Sequence, residues 1–241
     1  MSIFEKASRE ALDTLQSLSV LQPALERAAE ILGAALASGS KLLVCGNGGS
    51  AADGADFATE FACRFLTDRR PYPAINLSAC GSLLTATAND YGYQEVFARQ
   101  VRAFGKADDV LMAMTTSGNS ENIIAALSAA KKLGMRTVAL LGRDGGRARG
   151  IAEIELIVPS EITARTQEAH KFLLHVLCEI VEAHWLLPQE SGTGILPVYP
   201  LPPFSGVRAS KALRANLGYF FGSSFLAAGA LPICSFMESG S

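Results

Sequence analysis

From Ile3 to Leu36 the apolar positions recur at helical spacing: Leu12, Leu15 and Leu18, then Leu25, Ala28, Ile31 and Leu32. Pro23 marks the start of the second of two helices, since proline is tolerated in a first turn. Such a leading segment cannot bury its apolar stripe alone. It needs the following domain or another subunit.

After Lys41 the pattern changes to short apolar runs separated by helical stretches. Strands are predicted over Lys41–Cys45, Ala74–Leu77, Val110–Met114, Thr137–Leu141 and Ile154–Val158. Helices are predicted over Ala51–Phe65, Leu83–Ala88, Tyr93–Ala103, Glu121–Leu133 and Arg165–Leu187. Apolar strands alternating with helices imply an α/β fold, a five-stranded parallel sheet covered on both faces. In the common doubly wound (flavodoxin-like) order 2-1-3-4-5, the first and third strands are neighbours at a switch point. Ligands bind beyond their carboxyl ends.

The loops at those two ends share a design. After the first strand comes Gly46-Asn47-Gly48-Gly49-Ser50, and after the third Thr115-Thr116-Ser117-Gly118-Asn119-Ser120. Each enters a helix. Glycines let the backbone approach a ligand, and the first helical N–H groups point at an anion. Two such loops at one switch point indicate one phosphorylated ligand held between them.

Charge and cysteine content narrow the field. The net charge of −2 over 241 residues gives no basis for a nucleic-acid surface. Five scattered cysteines without a CxxC pair suit a reducing cytoplasm rather than a disulfide framework. The start, Met1-Ser2-Ile3-Phe4-Glu5-Lys6, has no apolar signal region.

Four motifs occur in order: Cys45-Gly46-Asn47-Gly48-Gly49-Ser50-Ala51-Ala52-Asp53, Asn89-Asp90-Tyr91-Gly92-Tyr93, Thr116-Ser117-Gly118-Asn119-Ser120, and Arg165-Thr166-Gln167-Glu168-Ala169-His170 with His175 beyond. Together they resemble the phosphoheptose isomerase family of the sugar isomerase (SIS) fold. The resemblance implies a cytoplasmic homotetramer that interconverts sedoheptulose 7-phosphate and D-glycero-D-manno-heptose 7-phosphate for bacterial surface heptose. It implies Glu60 as general base and His175 as general acid. It implies a substrate pocket of Asn47, Gly48, Gly49, Ser50, Asn89, Asp90, Thr115, Thr116, Ser117, Ser120 and Gln167. It also implies one zinc per subunit, held by Asp56, Glu60, Gln167 and His175. Without the resemblance, Glu60 reads as a solvated helix acid and His175 as a core histidine; His170 and His184 read as surface or structural.

Two positions depart from the family pattern. Asp56 stands where histidine is common, and an aspartate reaches less far from a helix. Ala164 stands where many members carry aspartate. Two other functions stay open. A sister branch of the fold is a non-catalytic tetramer that binds the replication initiator, but lacks the glutamate and histidine pair. An isomerase or sensor of another sugar phosphate would share the same loops.

The resemblance ends near Pro188, which sets a domain of residues 1–188. In the tail, 189–241, Ser191-Gly192-Thr193-Gly194 reads as linker and Ile195–Pro203 as extended and proline-rich. Leu217–Phe236 is apolar and long enough for a membrane span. Gly218, Gly222, Gly229 and Pro232 weaken it as a helix. The tail is expected to be a poorly ordered appendage, with a membrane or partner anchor as the alternative; no membrane contact is expected of the main domain.

Overall fold

The computed structural model describes residues 1–187. The predicted tail lies outside the described residues. Two helices lead, α1 (Ile3–Ser17) and α2 (Gln22–Ala37), joined by a 3-10 turn at Leu18–Leu21. Pro23 sits in the first turn of α2. Ser2 and Glu5 close a capping box at the start of α1, each side chain bonded to the other's backbone N–H.

The sheet then builds as β1 (Leu42–Gly46), β2 (Ala74–Asn76), β3 (Val110–Thr115), β4 (Arg136–Gly142) and β5 (Ile154–Val158), all parallel, in the order β2-β1-β3-β4-β5. The crossovers carry α3 (Gly49–Ala62), α4 (Gly81–Tyr91), α5 (Ala98–Phe104) and α6 (Glu121–Lys132). The last long helix is α7 (Thr163–Val181). β1 pairs with β3 over its whole length, from Leu42 opposite Val110 to Gly46 opposite Met114. The carboxyl ends of the two loop-bearing strands therefore lie side by side, the arrangement expected of a switch point.

The alternation of strand side chains divides the core in two. Leu42, Val44, Met112, Met114, Val138 and Leu140 face α2, α3 and α7. Leu43, Cys45, Leu111, Ala113, Ala139 and Leu141 face the layer of α5 and α6. The central strands β1 and β3 are buried at every position, which is why they read as continuous apolar runs. At the opposite edge β5 alternates buried and half-buried positions. At the other ends of β1 and β3, buried Asp109 ties the strand starts together. Its carboxylate accepts from the Lys41 N–H at 2.9 Å and the Lys106 N–H at 2.8 Å, and it pairs with the Lys41 ammonium.

The main differences from expectation are at element ends. The predicted helix Tyr93–Ala103 begins only at Ala98, because Gly92 takes φ +88° and a 3-10 turn intervenes at Tyr93–Glu95. The helix after the first loop starts at Gly49 and stops at Ala62, earlier at both ends than predicted. The long final helix ends at Val181 and passes into one π turn, Glu182–Leu186.

Candidate active site

At the end of β1 the chain turns directly into α3. A Cβ on Gly46 would lie 2.6 Å from the Ser50 carbonyl oxygen, so only glycine allows this approach. Gly48 adopts φ +54°, and Ser50 is buried in the first turn of α3. Gly49 lies beneath the Gln167 amide of α7; a Cβ there would meet Nε2 at 2.1 Å. Gln167 thus reaches across from α7 to the amino end of α3. Asn47 exchanges two amide hydrogen bonds with Asn122 of α6, both 2.9 Å, and accepts a third from the Tyr93 hydroxyl at 3.0 Å. These bonds fix the first loop to the helix that follows the second.

The second loop gathers its hydroxyls. Thr115 Oγ1 lies 3.3 Å from Ser117 Oγ and 3.0 Å from Ser120 Oγ. The Asn119 N–H donates to Ser117 Oγ at 3.2 Å. Gly118 has φ +67° and packs against the loop after β4; a Cβ would sit 2.1 Å from the Gly145 carbonyl oxygen. That loop braces the second one further, through Ala148 N–H to the Gly118 carbonyl at 2.8 Å and Arg147 N–H to the Asn119 side chain at 3.1 Å. Neither α3 nor α6 has a side-chain cap at its start. Both present their first-turn N–H groups beyond the sheet, where an anion would accept from them. Thr116 is half-buried in the same loop, its carbonyl oxygen pressed on Gly142.

The seam of α3 and α7 carries the ionisable groups. Asp53, Asp56 and Glu60 lie along α3, and Gln167, Lys171 and His175 along α7; the two helices pack together. The Lys171 ammonium pairs with Asp56 and stands 3.8 Å from Asp53 Oδ1. Asp53 Oδ2 is buried without a hydrogen-bond partner. Burial pushes the Asp53 carboxyl above its ordinary value; Lys171, and more weakly His175, oppose that shift. The His175 ring lies 6.0 Å from that of Phe65. Glu60 is half-buried and lies within electrostatic reach of α7: with burial as the larger cause, its charge helps raise the Cys178 thiol. Asp53, Ala164, Gln167, Glu168 and Lys171 line an open cleft of about 450 Å³.

The far end of this seam is clamped. Arg69 donates to the Glu60 and Phe61 carbonyls that end α3 and pairs with Glu182 at 3.0 Å. Glu182 also accepts from the Thr67 N–H at 2.7 Å. Both charged side chains are almost fully buried, and the guanidinium lies over the Tyr72 ring.

The residues expected in the pocket divide accordingly. Gly48, Gly49, Ser50, Thr115, Thr116, Ser117 and Ser120 sit at the two strand ends, with Gln167 laid against them. Asn89 and Asp90 are exposed at the end of α4, where the Asn89 amide donates to Asp90 at 2.8 Å. Of the surface and structural readings of His170, the structural one holds: it is fully buried, with Nε2 3.1 Å from the Leu141 carbonyl oxygen. The sequence pattern assigns no role to Asp53, Lys171, Asn122, Arg69 or Glu182. Lys171 carried a readable signal, since it lies four residues from both Gln167 and His175 and shares their helix face.

Of the zinc set that the resemblance implies, Asp56 is engaged by the Lys171 ammonium. Among the described residues no group of three or more His, Cys, Asp or Glu side chains is placed to hold a metal ion.

The family model described as the SIS domain matches residues 4–142, which include both loops and Glu60. Phosphoheptose isomerase of Helicobacter pylori is 48% identical over 179 residues, 74% of this chain and 92% of that protein. The enzyme of the same name from Citrifermentans bemidjiense is 48% identical over 177 residues, 73% and 91% of the two chains. The chain belongs to the phosphoheptose isomerase family. The solved structure of the Neisseria gonorrhoeae phosphoheptose isomerase superposes with a TM-score of 0.70 at 39% identity, covering 76% of this chain and all of that one. These matches span nearly the whole length of the relatives. The two helical layers and the sheet between them supply its frame.

Proposed function

We infer that the chain is an aldose–ketose isomerase that interconverts sedoheptulose 7-phosphate and D-glycero-D-manno-heptose 7-phosphate, in the synthesis of bacterial surface heptose. The observation that carries this reading is the pairing of β1 with β3, which sets two uncapped helix starts and a cluster of three hydroxyls at one place. A terminal phosphate suits that place. Its binding energy orients the distant carbonyl end of the sugar.

The chemistry falls to the α3 and α7 seam. The Glu60 carboxylate takes a proton from C1 of the ketose, and the electron pair left behind becomes the C1–C2 double bond. His175 delivers a proton to the C2 oxygen, completing an enediol. His175 then removes the proton from the C1 oxygen as the aldehyde forms, and Glu60 returns its proton to C2. One residue on each of two facing helices serves this shuttle, since the acid and base must act at adjacent carbon and oxygen atoms. No step here is routed through a metal. The presence of Glu60 and His175 favours the enzyme over the initiator-binding branch of the fold.

The reading extends to assembly and location. Ile3, Phe4 and Leu12 are exposed on α1, and that apolar face suits a second copy of the chain within a homotetramer. Among the described residues no helix is long and apolar enough to cross a membrane, and a cytoplasmic setting suits the free cysteines. The test is a coupled assay of the purified protein on sedoheptulose 7-phosphate. Wild type should turn over, and Glu60→Gln should lose at least ~100-fold in kcat, the scale of a general base. No turnover by wild type, or near-normal turnover by the variant, would overturn the reading.

A further inference from the structure

Three carboxylates, Asp53, Asp56 and Glu60, fall at successive turns of α3, and Asp53 lines the cleft. Three negative charges so placed repel one another and attract a cation. The structure supplies one from its own chain. Lys171 projects from α7 between Gln167 and His175, pairs with Asp56, and stands 3.8 Å from Asp53 Oδ1. The Asp53 carboxylate is only 13% exposed, and its other oxygen has no partner. Lys171 itself is 29% exposed and lines the cleft beside Gln167. The ammonium thus sits at the carboxylates and is open to the ligand space.

We propose that Lys171 is the resident cation of this cleft, standing where a divalent metal would otherwise bind, so that this isomerase works without one. Asp56 is the hinge of the argument. Its short side chain pairs with the ammonium through Oδ2 while staying 64% exposed, so a metal at Asp56 would have to compete with a charge already in place. A lysine ammonium supplies one positive charge where a divalent ion would supply two, and it is covalently tied to the chain. It removes the dependence on metal supply. Lys171 acts as a positioning residue for the two aspartates and supplies a fixed positive charge beside the bound sugar.

The inference rests on the isomerase reading for its catalytic half, and the test separates the two. Full-length wild type, Lys171→Met and the double variant Lys171→Met/Asp56→His are dialysed against micromolar zinc and then against buffer, and zinc is measured per chain. Wild type should retain less than about 0.1 zinc, and the double variant close to ~1, because a histidine ligand replaces a neutralised carboxylate. In parallel, wild-type turnover of sedoheptulose 7-phosphate should be unchanged by chelator. Lys171→Met should lose at least ~10-fold in kcat, with Lys171→Arg recovering part of it. Circular dichroism melting establishes that each variant is folded. Stoichiometric zinc in wild type would overturn the proposal whatever the activity. So would wild-type turnover abolished by chelator, or a folded Lys171→Met with wild-type kcat. A wild type that takes no zinc and has no turnover would leave Lys171 as the cation and overturn the isomerase reading instead.

Discussion

Lowering the pH should destabilise this fold through one residue, His170. Its ring is fully buried between α7 and the sheet, with Nε2 at the Leu141 carbonyl oxygen and Nδ1 without a partner. Desolvation depresses its pKa from 6.5 to about 4, against a smaller opposing contribution from the Leu141 hydrogen bond. In the unfolded chain the ring titrates near its ordinary value. Between the two values the unfolded state binds more protons than the folded one, so stability falls as the pH falls through that window. The full contribution is present above about pH 6.5 and is lost progressively toward pH 4. A gap of this size is worth roughly 2 kcal/mol at pH 5 and roughly 3 kcal/mol at pH 4 relative to pH 7, at 1.36 kcal/mol per unit.

Other groups titrate over the same range, so the comparison is with His170→Gln, which can still donate to the Leu141 oxygen but carries no titratable ring. Urea unfolding of both proteins between pH 5 and pH 7.5 measures the difference. Wild type should lose about 2 kcal/mol more than the variant on going from pH 7 to pH 5. A stability difference between the two that stays constant across this range would refute the reasoning, as would an NMR titration of the His170 ring with a midpoint near 6.5.

Two further outcomes are expected. Ser117→Ala combined with Ser120→Ala removes two of the three clustered hydroxyls; affinity for the phosphorylated sugar should fall about 10-fold or more by calorimetry, with fold stability little changed, because the loop remains braced from the β4 side. Arg69→Met leaves Glu182 buried without its partner and frees the Glu60 carbonyl, so it should cost about 3–5 kcal/mol in urea unfolding, whereas an exposed pair such as Arg147 with Glu121 would cost under about 1 kcal/mol.

Much of the site's frame follows from local rules that a chain carries in its own order. Continuous apolar runs specify strands buried on both faces. Glycines at Gly46, Gly48 and Gly118 specify where the backbone must turn or pass close to a neighbour. Hydroxyl residues at Thr115, Ser117 and Ser120 gather because a tight loop holds them together. Those features sit within a few residues of one another, so pattern alone reaches them, including the neighbouring placement of the two loops through the strand order.

What pattern could not reach is how α3 and α7 are turned toward each other. Their rotation is set by packing both helices on one sheet face, a condition satisfied by side chains scattered over the whole chain. That rotation brings Lys171 to Asp56 and Asp53, lays Gln167 over Gly49, and leaves His170 in the core although it is polar. Arg69 and Glu182, 113 residues apart, meet for the same reason. The resemblance implies Asp56 as a metal ligand, and nothing in the local pattern pairs it with Lys171. The sequence determined which groups were available to the cleft; only the packing of the helices decided which carboxylate would face which cation, because that choice depends on distances no local rule encodes.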